Sequence, residues 1–191
     1  MPIIYRPARA QDLQRAAELV TASINALCES HGFGPVAAVR PPAFSMFSLK
    51  DDPEGLWVAE DAGELVGFAF SWACGDVWFL AQLFVSPDRQ GCGIGPALLE
   101  RTLAHAQTSK ARTKALITFA FNTVSQGLYM RHGLFPRSDG RHERDSQGGT
   151  TLARHTPLCA ASRSGAVQGG PAGVISKNAL LGNNLEFEFR R

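Results

Sequence analysis

The pattern in this sequence that most clearly indicates a functional site is a set of three closely spaced glycines. Gly91, Gly93 and Gly95 alternate with other residues, just before a segment of helical periodicity that begins at Pro96. Glycines let the main chain approach an anion closely, and unpaired N–H groups then converge at the positive end of the helix dipole. Proline suits the first helical turn, where its missing N–H has no partner to lose. The segment predicts a pyrophosphate site.

Other phosphate-binding motifs fit this loop poorly. A P-loop ends in Gly-Lys-Ser/Thr, whereas this loop continues Gly-Pro-Ala. A Rossmann fingerprint needs GxGxxG after a first parallel strand, with an acidic residue about twenty positions further on. Here the spacing is Gly-x-Gly-x-Gly, and several predicted antiparallel strands come first. A glycine-rich turn without a ligand, and a loop that holds ATP or NAD, stay open as alternatives.

The elements that must position this loop follow from periodicity and turn residues. Strands are predicted at residues 3–6, 56–60, 65–73, 77–85 and 115–121, with two more expected within 134–158. Helices are predicted at about 12–30, 96–109 and 122–132, with a short one near 43–49. Strands in a meander before the loop, and helices alternating with strands after it, indicate an α/β fold with a mixed sheet between helices.

At this point a family resemblance emerges. Gln90-x-x-Gly93-x-Gly95 resembles the Gln/Arg-x-x-Gly-x-Gly/Ala motif of the GNAT superfamily of acetyl-CoA-dependent N-acetyltransferases, and the element order supports it over residues 1–158. The resemblance implies a mixed, mostly antiparallel sheet flanked by helices, with two splayed central strands. It implies acetyl-CoA contacts from a strand end and from the loop: Leu83, Phe84, Val85, Gln90, Gly91, Cys92, Gly93, Ile94, Gly95 and Pro96, the last without an N–H.

A second segment, Asn122-x6-Tyr129-x3-Gly133, resembles the corresponding family segment that ends in Gly-Phe, with Gly133-Leu134-Phe135 here. By that resemblance Asn122 contacts acetyl-CoA and Tyr129 is the general acid that protonates the leaving thiolate. Local structure offers plainer explanations, because asparagine is a good helix N-cap, glycine ends helices, and a tyrosine beside a leucine is often core. Both interpretations stay open.

The implied reaction is direct transfer of an acetyl group to a primary amine of a small molecule or peptide. The general base is not identified: Asp76 and Glu60 are weak candidates, and His31 and His132 resemble surface residues at helix ends. Cys92 has no evident histidine partner, so a small residue in a tight loop is the plainer interpretation than a nucleophile. Aromatic residues could line an acceptor pocket or belong to the core: Trp72, Trp78, Phe33 and Phe47. A sensor or partner-binding domain that holds acyl-CoA without turnover is the alternative function.

Composition excludes some other classes. A net charge of +2 with scattered Lys and Arg gives no nucleic-acid-binding face, and no apolar run approaches the ~18 residues of a membrane span. The four cysteines form no CxxC pair and the histidines no metal-ligand spacing, so we expect reduced thiols, no metal and a cytoplasmic location. Residues 159–191 read as a Gly/Ser-rich linker with a possible strand at 185–190. Three alternatives stay open for that segment: pairing with an edge of this sheet, pairing with a sheet edge in a homodimer, or disorder.

Overall fold

A computed structural model describes residues 2–137 and the backbone of residues 184–189. The helices are α1 (Leu13–Ser30), α2 (Ala43–Asp51), α3 (Ile94–Thr108) and α4 (Thr123–Arg131). The strands are β1 (Ile4–Pro7), β2 (Leu56–Asp61), β3 (Glu64–Cys74), β4 (Val77–Val85), β5 (Thr113–Phe119), β6 (Leu134–Pro136) and β7 (Asn184–Phe189). Most predicted elements are confirmed, with ends that differ by one or two residues.

The strands form one seven-stranded sheet in the order β1-β2-β3-β4-β5-β7-β6. Every neighbouring pair is antiparallel except β4 and β5, which are parallel. The sheet is therefore mixed and mostly antiparallel, as predicted. The β2–β3 hairpin turns through Ala62 and Gly63, both with positive φ, as a tight two-residue hairpin turn requires.

The one parallel pair opens part of the way along its length. Pairing of β4 with β5 ends at Leu80 opposite Leu116, although both strands continue for several residues. The β3–β4 register shifts at the same level, with Phe70 opposite Gln82 and Ser71 opposite Leu80, so that Ala81 is an extra, bulged residue. A bulge bends its strand and increases its twist. The central strands are therefore splayed beyond Leu80, as the predicted fold requires.

The two faces of the sheet bury separate cores. On one face α1 packs its apolar stripe against β2 and β3, with Phe68 and Phe70 almost fully buried there. On the other face α3 and α4 cover Trp78, Leu80 and Leu116. Helices α1 and α3 thus bury the side that their periodicity predicts, and the gap between β4 and β5 lies between the two layers.

Three expectations need correction. Strand β7 lies inside the sheet, hydrogen-bonded to β5 and β6, whereas the sequence suggested pairing at an edge. Helix α3 begins at Ile94, so Pro96 is its third residue and not its first. Cys74 is disulfide-bonded, contrary to the expectation of reduced thiols, whereas Cys28 and Cys92 are free. The strands expected beyond residue 137 and before 158 lie outside the described residues.

Candidate functional site

The glycine loop turns sharply between the end of β4 and the start of α3. Gly91 and Gly93 have φ of 79° and 80°, the left-handed region that favours glycine. Gly93 is the N-cap of α3, and the first helical hydrogen bond runs from the Ala97 N–H to the Gly93 carbonyl at 3.2 Å. Pro96 therefore removes no helical hydrogen bond, because its position is one of those that lack an acceptor at a helix start.

The loop leaves a group of N–H donors without acceptors. Within residues 2–137 and 184–189, no hydrogen bond is made by the N–H groups of the five residues before Pro96 (Gly91, Cys92, Gly93, Ile94 and Gly95). Ile94 and Gly95 lie in the first turn of a 15-residue helix and the other three residues come directly before it, at the end where the helix dipole is positive. A Cβ at Gly91 or Gly93 would meet no atom within 4 Å. The loop thus presents open, donor-rich backbone, which is what a diphosphate requires.

Gly67 on β3 fixes the position of this helix start. A Cβ at Gly67 would lie 2.9 Å from both Ile94 Cγ2 and Leu98 Cδ1, so no larger residue fits without movement. Ile94 and Leu98 are buried to 1% and 0% exposure. The first turn of α3 is therefore seated directly on the sheet, and its free N–H groups are held by a packed core and not by a loose loop.

Gln90 and Cys92 take local roles in the loop. The Gln90 side-chain amide donates to the Val85 carbonyl at 3.3 Å, and the buried Ser23 hydroxyl of α1 donates to the same oxygen at 3.2 Å. These two donors fix the end of β4. The exposed Cys92 thiol lies 3.8 Å from the Gln90 carbonyl, and no described histidine contacts it, which fits a small residue in a tight turn.

The end of β4 presents only some of its predicted main-chain contacts to the gap. The Ser86 N–H donates to the Val66 carbonyl at 2.9 Å, and alternation along an antiparallel ladder then directs Phe84 toward β3. The groups of Leu83 and the N–H of Val85 point away from β3, toward the gap. The main chain of Phe84 is therefore used within the sheet, and its predicted contact with acetyl-CoA stays a prediction.

Tyr129 lies behind the point where the strands separate. Its side chain is 5% exposed and belongs to the same cluster as Leu80 and Leu116, the last paired residues of β4 and β5. Burial raises the pKa of the Tyr129 hydroxyl to about 12, while a hydrogen bond with the Ser125 side chain opposes that rise. The phenol is therefore protonated throughout the neutral range, a state that suits an acid and not a base.

Asn122 acts as the predicted helix cap. Its Oδ1 accepts from the Ser125 N–H at 3.2 Å, at the start of α4. Gly133 follows the helix with φ of 80°. The side-chain Nδ2 of Asn122 has no hydrogen-bond acceptor in the described part of the chain, so the capping role leaves its donor available.

The candidates for a general base either lie far from the glycine loop or already contact other groups of the protein. Glu60 accepts from Arg6 at 2.8 Å on β2, and Asp76 lies in the β3–β4 turn, at the far end of β4 from the glycine loop. The Nδ1 atoms of His31 and His132 lie 2.9 and 3.0 Å from helix carbonyls one turn earlier. Both histidines therefore act at helix ends, as the sequence suggested.

A buried network on α3 was not anticipated from the sequence. His105 Nδ1 accepts from the Trp78 Nε1–H at 3.3 Å and lies 3.1 Å from the Ser71 hydroxyl, while its Nε2 lies 3.0 Å from Asp52 Oδ1. Because Nδ1 accepts, Nε2 carries the proton and donates to Asp52. The order Asp-His-Ser resembles a hydrolase triad, but Ser71 is 0% exposed and also donates to the Gly55 carbonyl. The network joins α3 to the sheet.

Two further features bear on function. Within residues 2–137 and 184–189, no group of three or more His, Cys, Asp or Glu side chains is placed to hold a metal ion. No helix in the described part of the chain is long and apolar enough to cross a membrane.

A mixed sheet that opens between its parallel central strands, with free N–H groups at the helix that follows, is the arrangement of the α/β GNAT fold. Residues 19–134, more than half of the chain, match the Acetyltransferase (GNAT) family, and the chain belongs to that family.

The similar proteins agree with this assignment. An N-acetyltransferase of Archaeoglobus fulgidus, itself uncharacterized, is 40% identical over 103 residues, 48% of this chain and 68% of that protein. The mycothiol acetyltransferase of Streptomyces griseus is 34% identical over 87 residues, 43% of this chain but only 27% of that protein. Diaminobutyrate acetyltransferase from Paenibacillus lautus, solved with its substrate and coenzyme A, aligns with a TM-score of 0.58 at 18% identity, over 71% of this chain and 80% of that chain. The last similarity concerns the fold alone.

Proposed function

We propose that this protein is an N-acetyltransferase that moves an acetyl group from acetyl-CoA to a primary amine. The observation that carries the proposal is the row of free N–H groups from Gly91 to Gly95, held at a helix start beside the gap between β4 and β5. A diphosphate at the helix start leaves an attached pantetheine chain to lie along the open edge of β4. Its amide groups would pair there with the main chain of Leu83 and the N–H of Val85.

The reaction needs four events that the residues around the gap can support. The amine nitrogen attacks the thioester carbonyl carbon, and the resulting oxyanion is stabilised by a β4 backbone N–H. The C–S bond then breaks, and the thiolate takes the proton of Tyr129 Oη. The amine loses its proton to water, and water returns a proton to the Tyr129 phenolate, which completes the cycle. No ionisable side chain lies on β4 to receive the amine proton.

The raised pKa of Tyr129 sets the energetic scale of its role. If the CoA thiol resembles cysteine, with pKa about 8.5, full proton transfer from a phenol of pKa about 12 is uphill by about 5 kcal/mol. That cost favours partial transfer of the phenol proton to the sulfur while the C–S bond breaks, and it disfavours full protonation of a thiolate that has already left. Tyr129 therefore accelerates the reaction without being indispensable to it.

The alternative function is a sensor that binds acyl-CoA without turnover. One observation favours it, namely the lack of a carboxylate or imidazole on β4 or on the part of β5 beyond the last β4–β5 pair. A weakly basic amine removes the need for such a base, because an α-amine with pKa near 7.8 is partly neutral at pH 7, unlike a lysine-type amine near 10.4.

Two measurements test the proposal. Calorimetric titration with acetyl-CoA, with ATP and NAD as competitors, reports whether the loop holds a CoA diphosphate. Release of free thiol in the presence of a panel of primary amines reports turnover. Binding with amine-dependent thiol release supports the enzyme, and binding without it supports the sensor. Binding of ATP or NAD in preference to CoA would refute both.

A further inference from the structure

The sheet face opposite Tyr129 has an apolar and aromatic surface at the point where β4 and β5 separate. Trp72 and Phe79 are paired across β3 and β4, with ring centroids 6.0 Å apart. Phe44 of α2 lies over Phe70, with centroids 5.4 Å apart. Side chains paired across strands share a face, so these rings belong to the α1 and α2 side of the sheet.

This surface is open in part. Phe44 is 46% exposed, and Ile117, which shares the face of Phe119 by alternation along β5, is 51% exposed. The single ionisable residue of β5, Lys114, alternates to the other face with Leu116. Strands β4 and β5 therefore place no charged side chain on the α1 and α2 face of the sheet. A second ammonium or a carboxylate on a bound molecule would lose its hydration there without gaining an ion-pair partner from either strand.

Gln82 is the one polar side chain that β4 places here. It is opposite Phe70, next to the bulged Ala81, and partly buried. Its amide makes no hydrogen bond with the described residues, and an amide can accept a hydrogen bond from an amine but cannot take its proton. The position is suited to orient one amine nitrogen toward the gap.

We propose that the acceptor is a monoamine with an apolar or aromatic body, bound on the surface formed by Phe44, Trp72, Phe79, Gln82 and Ile117, with the buried Phe70 beneath Phe44. This inference rests on the proposed acetyl transfer. An N–H of the amine donates a hydrogen bond to Gln82 Oε1, which orients the nitrogen toward the gap. The body of the molecule covers the rings, and the amine approaches the thioester from the side opposite Tyr129. Diamines and amino acids with a free carboxylate are poor acceptors, because each adds a charge to an apolar surface.

The first experiment compares three probes by thiol release at saturating acetyl-CoA: 2-phenylethylamine, 1,4-diaminobutane and phenylalanine. We expect kcat/KM for phenylethylamine to exceed the other two by tenfold or more. The variant Ile117→Glu adds a carboxylate to the surface and should lower that preference over the diamine by about tenfold. Val124→Glu is the matched control, because Val124 is 81% exposed on α4, and it should leave the preference unchanged.

A second variant tests Gln82 as a positioning residue. Gln82→Leu should raise KM for phenylethylamine at least fivefold and leave acetyl-CoA affinity unchanged, a split that a merely structural role would not produce. The specificity inference is overturned if the diamine or phenylalanine is the better acceptor, if other primary amines are acetylated while phenylethylamine is not, or if Ile117→Glu and Val124→Glu behave alike. Binding of acetyl-CoA with no acetylation of any amine would instead overturn the proposed enzyme in favour of the sensor. Failure to bind acetyl-CoA at all would instead overturn the proposed function beneath it.

Discussion

The substitution Gly93→Glu tests the diphosphate loop most directly, because two of its effects can be separated. Gly93 has φ of 80°, and an added Cβ would meet no atom within 4 Å. The substitution therefore costs backbone strain of about 1–2 kcal/mol without a steric clash in the free protein. Its second effect is local: a side chain with negative charge would stand beside N–H groups that have no acceptor of their own.

Gly75→Glu is the matched control for the strain. Gly75 has φ of 57° in the β3–β4 turn, and a Cβ there also meets nothing within 4 Å. Both variants carry the same charge and a similar left-handed penalty, so the two should lose similar thermal stability, about 2–4 °C per kcal/mol for a chain of this size. Differential scanning fluorimetry measures that shared loss.

The two variants should differ sharply in acetyl-CoA affinity. A hydrogen bond to a charged group contributes about 1.5–3 kcal/mol, so loss of one N–H contact weakens binding by about tenfold to about a hundredfold, and charge repulsion adds to this. Calorimetric titration should show this loss for Gly93→Glu and unchanged affinity for Gly75→Glu. Equal affinity of both variants would refute the assignment of the loop.

Three further outcomes are expected. Gly95→Ala should keep acetyl-CoA affinity and raise the melting temperature slightly, because its φ is not positive, its Cβ would be 3.7 Å from Leu128 in ordinary contact, and alanine favours a helix; loss of affinity in calorimetry would contradict this. Tyr129→Phe should lower kcat about 10²-fold and leave acetyl-CoA affinity unchanged. Because the raised pKa of about 12 keeps the phenol protonated, kcat of the unmodified protein should not fall between pH 8 and pH 10. If the variant turns over as fast as the unmodified protein, Tyr129 is a packing residue. Asp12→Asn should lower the free energy of unfolding by about 3 kcal/mol in urea, because Asp12 is buried and accepts a hydrogen bond from Arg6 at 2.6 Å. The pKa of Asp12 is lowered in the folded state, so its contribution to stability is present above about pH 4 and is lost as the pH falls through the pKa of the folded state. The variant should lack this pH dependence of stability.

The loop and the main elements could be predicted because their signals are local. The positive φ values at Gly91 and Gly93 are predicted by the close spacing of glycines in the sequence itself. The same holds for α1, whose apolar stripe matches its buried residues, and for Asn122, whose cap lies three residues from its partner N–H. Each of these features depends on neighbours within one or two helical turns.

Features that depend on contacts between distant segments could not be predicted. The bulge at Ala81 has no sequence mark, yet it accompanies the separation of β4 from β5 and leaves Phe84 bonded to β3. The His105 network brings together α3, β3, β4 and Asp52, across as many as 53 positions of sequence. Strand β7 pairs with β5 across more than sixty residues, and alternation in its sequence indicates a strand but not its neighbours.

The gap between β4 and β5 persists because each strand is paired on its outer side. β3 continues to pair with β4 as far as Gly67 opposite Val85, and β7 pairs with β5 as far as Phe119 opposite Asn184. Both strands therefore keep their outer pairing beyond Leu80, and the main-chain groups of Leu83 that face the gap have no partner among the residues that the structure describes. A buried main-chain group without a hydrogen bond costs about 1–3 kcal/mol, so an extended ligand that carries its own amides gains most from lying there. The free N–H groups of the glycine loop stand at the open end of the same gap, and under the proposed function they would favour, among extended ligands, one that carries a diphosphate.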